Sequence, residues 1–282
     1  MIGLVARVGA LAAAVLTLTT VPAAAQAAPA AAPRLQAVTL ASTIKLSNCS
    51  ASLVRYPSSV SSDRAMMLTN GHCYEGGFLP AGQVLVNVSS SRTGTLLNSS
   101  GGSLGTLHAD LVLYATMTNT DVTLYRLTQT YAQISTSFGA TALTISASHP
   151  VSGTATSIPS GYWKKVYACG INGFVGTLKE DQWTWHDSIR YTFPKSTCQT
   201  IGGTSGSPII DNSSGQLVGI NNTLNESGQS CTLDNPCEVN PDGSITVIKG
   251  QNYGQETYWF NTCLTATNTI DLAKSGCLLT KP

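Results

Sequence analysis

Charge is what this sequence has least of. Only 10% of its residues are Asp, Glu, Lys or Arg, and the formal net charge is +1. A chain without a basic excess has little to offer a phosphate backbone, which excludes nucleic acid as an expected partner. C-x-x-C pairs are missing too, and with them the tight ligand spacing of structural zinc, so no metal and no cofactor are expected. No segment carries the sustained 3.6-residue apolar period of a long amphipathic helix. Past the N-terminal leader, no apolar run approaches the roughly 20 residues that span a bilayer. Histidine is scarce: His72, His108, His149 and His186 are the candidates for any imidazole chemistry.

What is present starts with the leader. Arg7, an apolar run from Val8 to Val21 and a small-x-small "AQA" read as a secretory signal peptide over residues 1–27. The Ala/Pro-rich stretch that begins "APAAAPRLQA" reads as a short pro-segment or linker over 28–40. The mature chain is then 41–282, secreted and free of the membrane once the leader is cut. Its eight cysteines, an even number in a secreted chain, imply disulfides of undetermined connectivity.

The 26 glycines and the abundant Ser and Thr punctuate short β-rich runs. These lie at Ile44–Leu46, Ala65–Thr69, Val84–Val88, Leu111–Ala115, Val122–Leu127, Leu143–Ser146, Trp163–Ala168, Trp183–Phe193, Ser207–Ile210 and Gln216–Asn221. Short strands separated by turn signals point to an all-β barrel or sandwich. "SHPVSGTATSIPSG" is turn-rich enough to join two halves. A short helix is expected near Thr269–Lys274.

One stretch stands out chemically. In "GGTSGSP", residues 202–208, glycines surround Ser205. They permit a sharp turn and close approach of a carbonyl, and the Gly203 and Ser205 amides could point at one oxygen. A serine hydroxyl needs a base. His72, in "MMLTNGHC", ends an apolar run and adjoins Cys73, for which Cys49, one strand upstream, is the natural partner. His149 precedes Pro150 and reads as a turn residue, and His108 and His186 read as turn or surface residues. The base in turn needs an orienting carboxylate. Asp121 in "NTDVTLYRL" and Asp110 in "HADLVLYAT" both qualify.

Taken in order, "LTNGHC", "DVTLYRL" and "GGTSGSP" resemble the signature segments of chymotrypsin-fold, trypsin-like serine peptidases of the secreted bacterial type. The resemblance covers about residues 41 to 225. It implies two packed antiparallel six-stranded β-barrels with the active site in the cleft between them, the first over about 41–137 and the second over about 138–262, followed by a disulfide-bearing tail over about 263–282. It implies a secreted serine endopeptidase in which His72 is the general base, Asp121 its orienter, Ser205 the nucleophile, and the Gly203 and Ser205 amides the oxyanion hole. Asp121 is preferred to Asp110 because its strand matches the family better. Cys49–Cys73 is the expected bridge beside His72, and sequential pairing gives Cys169–Cys198, Cys231–Cys237 and Cys263–Cys277. Protein or peptide substrates and a monomer are expected. The alternatives are a catalytically silent homologue or a secreted β-rich binding module.

The sequence departs from the digestive branch at Thr204, where that branch has an aspartate, and lacks an "IVGG"-like segment. In its nucleophile motif it is nearest the glutamyl-endopeptidase-like branch. The fold of that family places Gln199, Thr200, Asn221 and Asn222 at the specificity pocket. Asn221 stands where the glutamyl branch has a histidine, which favours a neutral or polar side chain over a carboxylate. Oxygens in "LDNPCEVNPDGS", residues 233–244, fit no twelve-residue calcium loop, and "NPDG" reads as a hairpin turn. Trp183 and Trp185 share a strand face and read as barrel core.

Overall fold

The computed structural model describes residues 1–4, 9, 37–194 and 198–282. The expected leader lies almost wholly outside the described residues. Met1–Arg34 and Leu35–Pro282 are separate units, and the sheets belong to the second.

The first sheet is built from β1 (Thr43–Lys45), β2 (Ser50–Arg55), β3 (Arg64–Thr69), β4 (Val84–Ser89), β5 (Thr93–Leu97), β6 (Ser103–Thr116), β7 (Val122–Thr130) and β8 (Leu143–Thr144). Six strands close in the order β1-β5-β6-β7-β3-β2, with β1 pairing back onto β2. The long β6 serves β5 with its first half and β4 with its second. Closure leaves the barrel no free edges of its own. β3 reads as one apolar run because both of its faces are covered: Ala65 and Met67 point into the barrel, while Met66 and Leu68 point into a second core. That second core gathers Val122 and Leu124 of β7 with Leu217 and Ile220 of the other barrel.

After β7, Thr130 caps α1 (Tyr131–Phe138) through a reciprocal capping box with Gln133, and Gly139 ends it at φ 64°. The second sheet comprises β9 (Ala155–Ser160), β10 (Lys165–Glu180), β11 (Trp183–Tyr191), β12 (Pro208–Asp211), β13 (Leu217–Leu224), β14 (Cys237–Val239), β15 (Ile245–Thr246) and β16 (Asn252–Glu256). It closes in the order β11-β16-β13-β12-β9-β10, with β10 returning to β11. The fold is therefore all-β, with two closed antiparallel six-stranded barrels.

The structure has no helix at Thr269–Lys274. Asp271 accepts from the Ala273 N–H and turns the chain instead, inside the Cys263–Cys277 loop. The helical turn falls earlier, at α2 (Trp259–Thr262), whose Trp259 and Phe260 enter the core between the barrels. The tail then returns to the first barrel: the Tyr114 hydroxyl donates to the Thr280 carbonyl, and the Thr280 hydroxyl donates to the Thr118 carbonyl. Disulfides join Cys49–Cys73, Cys169–Cys198, Cys231–Cys237 and Cys263–Cys277.

Candidate active site

Strand register brings the first two site residues together. β3 and β7 pair antiparallel with Thr69 opposite Thr123, so the turn after β3 and the residue before β7 are neighbours. The turn holds His72 in the short 3-10 stretch Gly71–Cys73, and the residue before β7 is Asp121. The Asp121 carboxylate holds His72 twice, accepting its backbone N–H at 2.9 Å and meeting Nδ1 at 2.7 Å. Asn70 fixes the Asp121 backbone by donating to its carbonyl at 2.9 Å. A side chain at Gly71 would put Cβ 2.2 Å from the Thr116 carbonyl and 2.7 Å from Asp121 Oδ1, so only glycine fits there. Cys49–Cys73 ties the same turn to the start of the first barrel.

Asp121 is buried and His72 is 19% exposed, so the imidazole is the group the pair presents to the cleft. Burial by itself pulls the His72 pKa down. The Asp121 charge and hydrogen bond, helped by Glu180 and Asp234, outweigh it and leave the imidazole above its ordinary value. Burial pushes the Glu180 carboxyl up to about 7.

Ser205 reaches the cleft from the other barrel, on the turn before β12. Its carbonyl accepts from Ser50 N–H at 2.8 Å, and its hydroxyl donates to the Asn222 carbonyl at 3.2 Å rather than to His72. His72, Asp121, Ser205, Asn221 and Asn222 line one cleft with Phe78, Trp183 and Trp185. Gly203 and Gly206 sit at φ 83° and 75°. Thr204 N–H donates to Ile201 and Gly206 N–H to Asn221, while among the described residues the Gly203 and Ser205 N–H groups have no such partner.

The side chain at 204 shapes this loop without charge. The Thr204 hydroxyl is buried, donates to the Ile201 carbonyl at 2.5 Å and accepts from Asn221 Nδ2 at 3.0 Å. Asn221, read from the sequence as a pocket residue, thus also braces the loop. Thr200 is buried and donates to Asn252 Oδ1, and Gln199 is exposed. Among the described residues both Asn222 side-chain polar atoms lack partners, and Asn222 lines the cleft.

Several residues that hold the site carried no motif. Trp183 donates to the Leu79 carbonyl and Trp185 to the Met117 carbonyl, clamping first-barrel loops onto β11. Asn119 N–H donates to Thr184, and His186 N–H donates to Asn119, so the loop leading to Asp121 is stitched to the second barrel. The tryptophans are core, as their alternation indicated, but the core they fill is the one under the site. Phe78 packs edge-on to His72 and Trp183. Trp163 donates its indole N–H to the Gly202 carbonyl at 2.8 Å.

The remaining candidates sit elsewhere. Asp110 is bound by Arg64 and Arg126, and the Arg126 hydrogen bond is the chief reason its carboxyl lies below the usual range. His108 and His186 are exposed. In 233–244, the Asp242 carboxylate accepts from Ser244 and closes the hairpin turn, while Glu238 pairs with Arg190 and Tyr253.

Two closed barrels with such a cleft between them define the class: the fold is that of the chymotrypsin-type serine endopeptidases. More narrowly, a family model described as a trypsin-like peptidase domain matches residues 54–220, more than half of the chain, and the chain belongs to that family. Among solved structures it is similar to the Rv3671c protease from M. tuberculosis in its active form, at 14% identity and a TM-score of 0.46, covering 86% of this chain and 84% of that one. It is similar to a Glu endopeptidase in complex with MPD at 16% identity and a TM-score of 0.44, covering 77% and 85%. A Nocardiopsis protease matches at 16% identity and 0.41, covering 76% and 89%. No curated protein matches the sequence.

Proposed function

We propose that the chain is a secreted endopeptidase that cuts protein or peptide substrates through an acyl-enzyme, with His72 as general base, Asp121 as its orienter and Ser205 as nucleophile. The observation that carries this reading is the double hold of the buried Asp121 carboxylate on His72. With Nδ1–H committed to Asp121, the Nε2 lone pair is the free base. The Ser205 hydroxyl rests on the Asn222 carbonyl; with substrate it turns to His72, as catalytic hydrogen bonds often tighten only in the substrate complex. Ser205 Oγ attacks the scissile carbonyl and its proton passes to His72. The Gly203 and Ser205 N–H groups receive the oxyanion. His72 then protonates the leaving amine, and a water activated by His72 releases the acyl group.

Secretion rests on the leader at 1–27, removed with or before the 28–40 segment, and on the four disulfides, which belong to an oxidising compartment. Among the described residues no helix is long and apolar enough to cross a membrane. The mature enzyme acts as a monomer. The uncharged Thr204 has no need of an inserted amino terminus, because its hydroxyl is satisfied inside the loop. The test is pre-steady-state hydrolysis of an activated ester by the mature protein. A burst stoichiometric with enzyme, absent in Ser205→Ala, is expected. A folded wild type with neither burst nor peptide cleavage would establish the silent homologue instead.

A further inference from the structure

Three side chains outside the cleft converge on one point. His149 comes from the connection between the barrels, Asp187 from β11 and Glu256 from the end of β16. The register that pairs Ile189 with Gly254 sets Asp187 opposite Glu256 when carried two residues on. Like charges directly opposite on adjacent strands repel. His149 Nε2 lies 3.2 Å from Asp187 Oδ2 and 3.4 Å from Glu256 Oε1. One ligand atom from each residue falls within 4.8 Å of the others.

The Glu256 side chain is 1% exposed, and among the described residues neither of its carboxylate oxygens has a hydrogen-bond partner. A buried, unpartnered carboxylate is costly. The imidazole is prepared on its far side. Nδ1 lies 2.5 Å from the Pro150 carbonyl, which accepts only, so Nδ1 carries the proton. A metal-bound histidine characteristically has this backbone anchor, which leaves Nε2 to the metal. Phe174 and Tyr258 pack edge-on against the ring, and the Tyr258 hydroxyl donates to Asp187.

We propose that His149, Asp187 and Glu256 are the protein ligands of a divalent transition-metal site, with zinc the best match. A tetrahedron with metal–ligand bonds of about 2.0–2.1 Å has an edge of about 3.3 Å, and the two separations at Nε2 bracket it. Calcium and magnesium favour all-oxygen sets, whereas one imidazole and two carboxylates suit zinc. Two carboxylates and a neutral imidazole then surround a dication, with water as fourth ligand. The ion fastens the connection between the barrels to β11 and β16. His149 is then more than the turn residue its place before Pro150 indicates, and the spacing rule that excludes zinc from the sequence misses it because the ligands come from three distant segments.

The test uses the full mature chain, stripped with chelator, loaded with zinc and desalted. About one zinc per chain is expected to remain, and zinc at about 100 times its Kd should raise Tm by about 5 °C or more. Glu256→Gln removes the charge and keeps the shape, so it should fold at least as stably without zinc and lose most of the bound ion and the Tm response. A wild type that retains no more zinc than Glu256→Gln, or whose Tm ignores zinc, would overturn the site.

Discussion

The indole N–H of Trp163 holds the carbonyl of Gly202 at 2.8 Å. A trans peptide is planar, with its C=O and N–H on opposite sides. Holding the Gly202 oxygen against Trp163 therefore turns the Gly203 N–H away from the indole, in the sense an oxyanion hole needs. Tyr162 and Trp163 also abut the Gly203 Cα, with 3.0 Å from a notional Cβ to the indole nitrogen. Trp163→Phe keeps the ring and loses the donor. Turnover should fall about 10-fold with KM little changed, less than the 10²–10³-fold of deleting an oxyanion donor outright. Steady-state kinetics on a peptide substrate decide it; an unchanged kcat would mean the loop holds its own shape.

The acidic surroundings of His72 set a pH profile. The imidazole must be neutral to act as base, so the acid limb of kcat/KM should lie above the ordinary imidazole value. Glu180→Gln removes one of the charges that raise it, and the limb should move down. Asp121→Asn should cut turnover by about 10⁴-fold with the fold intact, whereas Asp110→Asn should leave turnover near wild type.

Glu180 has a separate effect on stability. Its folded carboxyl is pushed up to about 7 from 4.5, so between those values the folded state keeps a proton that the unfolded chain has released. Stability from this group therefore falls as pH rises through that window. Glu180→Gln should be more stable than wild type at pH 8 and close to it at pH 4, measured by denaturant unfolding.

Gly206 joins the Ser205 turn to the first barrel. It has φ 75°, and a Cβ there would lie 2.1 Å from the Ser50 carbonyl and 2.2 Å from Thr69 Oγ1. Gly206→Ala should cost more than about 1 kcal/mol and abolish cleavage, because Ser205 is displaced from the face that carries His72. A stable, active Gly206→Ala would show that the two barrels are not held in contact at this point.

Much of this was legible because it is local. Each of the ten β-rich runs overlaps a strand, since alternation and turn residues mark them. The strands that escape notice are polar or small. β16 reads "NYGQE", yet all five residues are buried, its Asn252 and Gln255 side chains bonded to Thr200 and Ser188. β2, "SASLVR", and β9, "ATSIPS", hide among serines in the same way. His72 and Ser205 stand in motifs because each needs a particular turn beside it. Trp163, Glu180 and Glu256 act at a distance through the fold, and a residue whose partners lie tens of positions away leaves no local pattern. Gln199 and Thr200 are read by position relative to Ser205 alone, and the sequence gives no sign that the Thr200 hydroxyl turns to Asn252.

The central claim is that Ser205 is activated as a nucleophile by the His72–Asp121 pair. Intact-mass analysis after reaction with a fluorophosphonate tests it most directly. The mature protein should gain one adduct, mapped to the peptide containing Ser205, with none on Ser205→Ala and a strongly slowed reaction on His72→Ala. A folded wild type that takes no adduct, or takes it at another residue, would contradict the account.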